Sequence, residues 1–339
     1  MKKWYNKYNN VKFMIKGVDT LKVRSFLKLV EIQTKLASVI PFLLGTVYVL
    51  YRFECFDAAN FIVMLVSLLC FDMFTTTLNN YLDFKKARKK HGYNYERHNA
   101  IVRDGLTEAS VLRVLIILFG LAVVFGVLLY LRTNIVVLLL GMLSFLAGIS
   151  YSYGPVPISR TPFGEVLSGL FMGFVIPFLS IYIHMYDGDI LRLALEGHNL
   201  SINVNLSETV AIFLLSVPTI CCIANIMLAN NICDIEDDIE NRRYTFPVHI
   251  GREKALKVYK ALYYVVYADV ILTALLGIVP VASLLVLLTY VQVRKNISEF
   301  YKLQTKKDTF VFTIKNFVLI CTSLIIIVGI FALAGLIIA

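Results

Sequence analysis

The chain has 339 residues, of which 58% are hydrophobic and only 17% charged, and its mean hydropathy is +0.73. Those values exclude a water-soluble domain and specify an integral membrane protein. The net charge of +10 does not indicate a nucleic-acid partner, because the basic residues collect between apolar runs instead of covering one face.

The first 28 residues carry eight Lys or Arg and lack a leading apolar core, so no cleavable signal peptide is expected. Trp4, Tyr5, Tyr8 and Phe13 interleave with that charge, as in an arm lying on an anionic inner leaflet. About nine apolar runs then follow, at roughly 35–51, 58–79, 109–131, 134–152, 164–186, 209–230, 256–278, 279–293 and 314–338. A helix of about 17 or more apolar residues crosses the roughly 30 Å of hydrocarbon. The eighth run is short, and its boundary with the seventh rests on Gly277 and Pro280 as breakers. The expected fold is an all-α integral membrane protein, with a basic cytoplasmic tail over 1–25 and one transmembrane domain over 26–339.

If the N-terminus is cytoplasmic, all of the 33 Lys and Arg except Arg52, Arg132 and Arg192 fall on or next to the cytoplasmic side. That is the positive-inside pattern of a multi-pass protein of the cell membrane, and an odd number of helices puts the C-terminus outside. The segment 187–208, acidic and rich in Asn, reads as an external loop. Cys55, Cys70, Cys221, Cys222, Cys233 and Cys321 show no metal-type spacing and read as small apolar packing residues.

Taken in order, the first helix carries Glu31 and Lys35 as an i, i+4 ion pair at its cytoplasmic end, and Pro41 as a bend. The second places Asp72, Thr75, Thr76 and Asn79 on one polar stripe. A carboxylate in mid-membrane costs about 2.5–3.5 kcal/mol on insertion scales, so Asp72 faces the interior, either bonded to a neighbouring helix or close to a substrate. Seven basic residues follow Asp83: Lys85, Lys86, Arg88, Lys89, Lys90, Arg97 and Arg103. Arg97 and Arg103 stand apart from the run, and a guanidinium fork suits phosphate oxygens. Between the fourth and fifth helices, YSYGPVPISRTPFGE specifies a rigid turn and brings Tyr151, Tyr153 and Arg160 to the same face. Its aromatic rings either stabilise a passing carbocation or form an interfacial belt.

The chain then turns abruptly ionic at Asn230–Gly251, NNICDIEDDIENRRYTFPVHIG, with five acids in the seven residues from Asp234 to Glu240. Asn230, Asp234 and Asp238 are spaced i, i+4, i+8, which on one helix lines an amide and two carboxylates along about 12 Å. Like charges at that spacing repel unless a hard divalent cation lies between them; Mg²⁺ held by one or two carboxylates plus a substrate's phosphate oxygens is such an arrangement. The TFPVHIG segment reads as strand-like, His249 has no partner at metal spacing, and Arg294–Asp308 reads as an uninformative basic loop. Asn79, Asn80 and Asp83 repeat the Asn-Asn-x-x-Asp opening 151 residues earlier, again directly after an apolar run. This internal repeat divides the domain into pseudo-repeated halves of about 26–160 and 161–339, and two facing polar loops can clamp one phosphorylated ligand.

The paired Asn-x-x-x-Asp motifs on cytoplasmic loops after even-numbered helices resemble the UbiA-type intramembrane aromatic prenyltransferases. NNxxDxxxD followed by RRxTxPVxxG, and the turn YxxGPxPISxTPxGE, resemble the branch that prenylates 1,4-dihydroxy-2-naphthoate on the menaquinone pathway. The resemblance runs from about residue 26 to the C-terminus. It implies a bundle around a central cavity open to the membrane. Asn79, Asp83, Asn230, Asp234 and Asp238 then match Mg²⁺ and diphosphate positions, with Arg97, Arg103 and Arg243 as choices for the diphosphate oxygens. The substrates implied are a polyprenyl diphosphate and an aromatic acceptor, with loss of carbon dioxide from a hydroxynaphthoate and demethylmenaquinone as product. The family's first motif usually carries a second acid where this chain has Ala87 or Lys89; Glu96 or Asp104 is a substitute, or binding leans on Asp234 and Asp238, or this member's activity is reduced. Two rivals remain: another acceptor such as 4-hydroxybenzoate or a haem vinyl group, and a multi-pass transporter whose acids coordinate a permeating cation.

Overall fold

The computed structural model describes residues 23–86, 100–188, 190–196 and 199–338. Eight helices among them are long and apolar enough to cross a membrane: Ile32–Phe53, Ala58–Lys85, Glu108–Arg132, Ile135–Ser152, Gly164–Tyr182, Leu206–Cys233, Arg252–Leu275 and Phe310–Ile337. They match the first to seventh and the ninth of the expected runs. The eighth run is also helical, but as a 3₁₀ segment Val281–Thr289 continued by an α-helix Tyr290–Lys302. Its apolar part is short and its second half is polar; it packs against the seventh and ninth spans and returns the chain to the end of the bundle where Asp234 lies. The fold is the expected all-helical membrane bundle.

The first and sixth spans are the most enclosed, with 50% and 56% of their apolar windows buried, against 22% and 17% for the third and fourth. The first packs on the fifth and ninth, and the sixth on the fifth, seventh and ninth. The second, third and fourth form a flanking group whose outward side chains, such as Ile116, Leu131 and Leu146, are exposed for lipid. Lipid tails are as apolar as Leu, so contact between spans depends on close packing and polar bonds. Asn225 Nδ2 donates to the Tyr259 carbonyl at 3.0 Å between the sixth and seventh, and Asn296 Nδ2 to Asn316 Oδ1 at 2.7 Å between the eighth and ninth.

The crossing of the fifth and sixth spans shows how the sequence permits close approach. Pro177 has no N–H to offer the Gly173 carbonyl one turn back, and the backbone widens into a π-turn over Phe171–Val175. Thr219 Oγ1 donates to that carbonyl instead, at 2.7 Å. Gly173 has no side chain in the way: a Cβ there meets the Ile220 backbone at 2.5 Å.

Four sequence readings are corrected. Glu31 and Lys35 do not pair, because Glu31 adopts a left-handed conformation outside the helix and turns to Asn80. TFPVHIG is not a strand: Phe246–Ile250 is a short helix with Pro247 in its first turn and Gly251 at positive φ ending it. Asn230, Asp234 and Asp238 do not share one helix, since the sixth span stops at Cys233 and a second helix, Ile235–Glu240, starts at Asp234. The segment 187–208 is not plain loop: strands β1 (Leu191–Glu196) and β2 (Asn199–Val204) form an antiparallel hairpin pairing Leu191 with Val204. Alternating Leu191, Leu193 and Leu195 is the period-2 signal for it.

Gly173→Ala is expected to lower stability by about 1–3 kcal/mol, because overpacking cannot be relieved against a backbone. Thermal unfolding in detergent measures it, with Gly120→Ala, where a Cβ meets open space, staying close to the parent.

Candidate active site

The second span runs past the predicted end to Lys86, which places Asn79 and Asp83 on its last two turns. Adjacent residues on a helix point about 100° apart, so each Asn pair divides its labour. Asn80 is buried and donates to Glu31 Oε1 at 3.2 Å and to the Leu29 carbonyl at 3.1 Å. Asn231 is buried and donates to Glu165 Oε1 at 2.8 Å. In both halves the second Asn therefore ties its span to the start of the preceding odd-numbered one. The first Asn of each pair is left on the accessible side, Asn79 exposed and Asn230 half-buried.

Asn79 Nδ2 reaches Asp83 Oδ2 at 3.5 Å, and Ser152 at the end of the fourth span donates to Asn79 Oδ1 at 3.1 Å. In the second motif, Asp234 closes the sixth span and its Oδ2 lies 2.5 Å from Lys306 Nζ. Asp238 sits one turn further, its N–H on the Asp234 carbonyl at 2.7 Å. Its side chain is only 2% exposed. Burial pushes its carboxyl above the usual carboxylate range, opposed by the Arg243 guanidinium and by Thr245. Arg243 Nε is 3.3 Å from Asp238 Oδ1, and Thr245 Oγ1 donates to Oδ2 at 3.0 Å.

Arg242 takes a left-handed φ of 54°, turning the chain so that the Arg243 N–H meets the Asp238 carbonyl at 2.8 Å. The Arg243 guanidinium then reaches across to the proline-rich turn, Nη2 donating to the Ser159 carbonyl at 3.2 Å. The Tyr244 N–H bonds the Arg160 carbonyl at 3.0 Å, locking the two loops together. The result is a polar cleft lined by Asn79, Leu82, Asp83, Ser152, Ser159, Arg160 and Arg243. The first motif supplies one wall, and the arginine bonded to the second motif supplies the other.

Among the described residues no three His, Cys, Asp or Glu side chains converge on a metal position. Magnesium suits such a site: it takes one or two carboxylates and completes its shell with water and substrate phosphate oxygens. The donors facing the cleft are carboxylate and amide oxygens, with cationic arginines beside them, which fits a cation carrying a phosphorylated ligand.

The other candidates are placed as follows. Asp72 is bonded to its neighbours: it is paired with Lys35, whose Nζ also donates to Thr76 Oγ1 at 2.7 Å, and it accepts from Ser38 Oγ at 2.6 Å. The Tyr151 hydroxyl points at Met227 Sδ, 3.8 Å away, and not into the cleft. Arg103 does not line the cleft; its Nε bonds Asp104 Oδ1 at 3.0 Å. That bond holds the Asp104 carboxyl below its ordinary range. Arg97, Ala87, Lys89 and Glu96 lie outside the described residues. Sequence reading assigned no role to Ser152, Ser159, Thr245 or Lys306, although Ser159 and Thr245 are fixed positions of the turn and RRxTxPVxxG motifs.

Residues 38–319 match the UbiA prenyltransferase family. This chain belongs to that family. As a UbiA protein it is a membrane prenyltransferase. It is 30% identical over 239 residues, 70% of each chain, to 1,4-dihydroxy-2-naphthoate octaprenyltransferase of Bacillus subtilis (strain 168). A UbiA homologue from Archaeoglobus fulgidus bound to GPP and Mg²⁺ shares the fold with a TM-score of 0.62 at 16% identity, over 91% of this chain and 99% of that one. A UbiA homologue from Aeropyrum pernix K1 does so with a TM-score of 0.58 at 18% identity, over 88% and 97%.

The Lys35–Asp72 pair lies in this UbiA bundle with Lys35 only 4% exposed. Lys35→Met strands a carboxylate and is expected to cost about 3 kcal/mol, whereas Lys35→Met with Asp72→Leu recovers most of that loss. Thermal unfolding of the single and double variants measures the difference.

Proposed function

We propose that this protein transfers a polyprenyl group from polyprenyl diphosphate to 1,4-dihydroxy-2-naphthoate, with decarboxylation, giving the demethylmenaquinone skeleton. The carrying observation is the 30% identity, over 70% of both chains, to a 1,4-dihydroxy-2-naphthoate octaprenyltransferase. The cleft supports it: Asn79 and Asp83 of the first motif line it with Arg160 and Arg243, and Arg243 is bonded to Asp238 of the second motif, whose own acids do not line it.

Asp83, Asp234 and Asp238, with the amide oxygens of Asn79 and Asn230, are the residues that would hold Mg²⁺ between themselves and the diphosphate. When bound, that ion neutralises charge on the departing pyrophosphate. Arg160, Arg243 and Arg97 hold diphosphate oxygens through forked hydrogen bonds. The allylic carbon–oxygen bond breaks with its electrons going to the pyrophosphate. An electron-rich ring carbon forms the new carbon–carbon bond, and departure of the carboxylate as carbon dioxide returns an electron pair to the ring. Burial of the isoprenoid tail in an apolar environment, at about 0.8 kcal/mol per methylene, suits a site within a membrane bundle.

The charge distribution supports a cytoplasmic cleft, with the N-terminus inside and the C-terminus outside. Arg52, on Glu208 at 2.9 Å, and Arg132, on Asp57 at 3.6 Å, mark the outer end. The repeated Glu31–Asn80 and Glu165–Asn231 contacts support two related halves, about 26–160 and 161–339.

Asp234→Ala is expected to abolish turnover, more than about a hundredfold, while inserting in the membrane normally. The assay supplies Mg²⁺, a polyprenyl diphosphate and either 1,4-dihydroxy-2-naphthoate or 4-hydroxybenzoate. Product from the hydroxybenzoate alone overturns the acceptor, and an active Asp234→Ala overturns the metal assignment.

A further inference from the structure

Lys306 comes from the turn between the eighth and ninth spans, 72 residues after the acid it meets. The turn is built to hold it. Thr305 Oγ1 donates to Asp308 Oδ2 at 3.1 Å and accepts from the Asp308 N–H at 3.2 Å, while the Thr305 carbonyl accepts from the Phe310 N–H at 3.0 Å. Gln304 Nε2 anchors the near side, donating to the Phe300 carbonyl at 2.7 Å. The Lys306 side chain is 46% exposed and that of Asp234 only 14%, so the carboxylate is the more enclosed partner. An ion binding through that Asp234 oxygen competes with the ammonium for it.

We propose that Lys306 is a tethered stand-in cation, holding Asp234 in the empty enzyme and passing to the diphosphate when substrate and metal arrive. The inference rests on the prenyl-diphosphate reading above and adds a binding residue to it. A divalent cation at that Asp234 oxygen repels an ammonium held against it, which favours release of Lys306. The released ammonium stays tethered by its turn within a side chain's reach of Asp234, where a diphosphate held at that acid would be its new anion. Lysine serves phosphate as a mobile point charge, which suits this exchange better than a rigid fork. The arrangement also keeps Asp234 charge-balanced between turnovers, in a segment where Glu236, Asp237 and Asp238 follow closely.

The test uses the full chain, purified in detergent, and two probes: Mn²⁺ alone, followed by its spin resonance, and inorganic pyrophosphate with Mg²⁺, followed by calorimetry. Lys306→Met is expected to bind Mn²⁺ about two- to fivefold more tightly, because a half-exposed competitor has gone. The same variant should bind pyrophosphate about tenfold more weakly, having lost one charge-assisted contact. Lys306→Arg should keep pyrophosphate within about threefold of the parent, and Lys307→Met, the neighbouring charge, should match it on both probes. Lys306→Gln replaces Lys306→Met if the latter does not fold. Unchanged or weaker Mn²⁺ binding, or unchanged pyrophosphate binding, overturns the proposal; a structural pin would weaken both together and lower the unfolding temperature. A parent protein that binds neither probe overturns the prenyl-diphosphate reading itself, a distinguishable failure.

Discussion

Arg243 is the residue on which the geometry of the cleft depends. Its guanidinium touches Asp238 of the second motif and the Ser159 carbonyl of the proline-rich turn, and it faces the Asn79 and Asp83 wall. A carboxylate as buried as Asp238 needs a cation and a hydrogen-bond donor beside it, and Arg243 and Thr245 provide them. The same arginine remains open enough to meet an anionic ligand. Charge balance at Asp238 and the link between the two loops are thus carried by one side chain.

Around that centre the bundle separates rigid from adaptable parts. The first and sixth spans, enclosed by the fifth, seventh and ninth, form a framework with close backbone crossings and polar bonds between helices. The candidate site side chains lie where spans end: Asp83 on the last turn of the second, Ser152 at the end of the fourth, Asp234 at the end of the sixth. Helix ends let the backbone change direction, so a carboxylate spaced for one face can be turned onto another. The break at Asp234 does this, sending Asp234 toward Lys306 and Asp238 toward Arg243.

The duplicated Asn-Asn-x-x-Asp opening joins two roles in one short motif. Its second asparagine is a strut, bonded to Glu31 in one half and Glu165 in the other. Its first asparagine and its acid are left on the accessible side. A single helical motif thereby fixes the angle between two spans and aims the ligand-facing groups, since neighbouring positions on a helix point to different surroundings.

Several features were legible in the sequence because they follow from local physics. Apolar runs long enough for hydrocarbon specify the spans, and the glycine- and proline-rich stretch before the fifth span specifies the turn found there. What the sequence alone left undetermined depends on contacts between distant residues. Glu31 and Lys35 have the spacing of an ion pair, yet a left-handed turn and a half-buried Asp72 draw them to different partners. Asn230, Asp234 and Asp238 have the spacing of one helical face, yet the helix stops where Asp234 must serve two helices at once. Lys306 was read as part of an ordinary basic loop, because nothing within its own turn says that Asp234 lies at the other end of its side chain. Periodicity and charge report what one segment prefers by itself, whereas the partner of each buried or half-buried charge is settled only when segments far apart in the chain pack together.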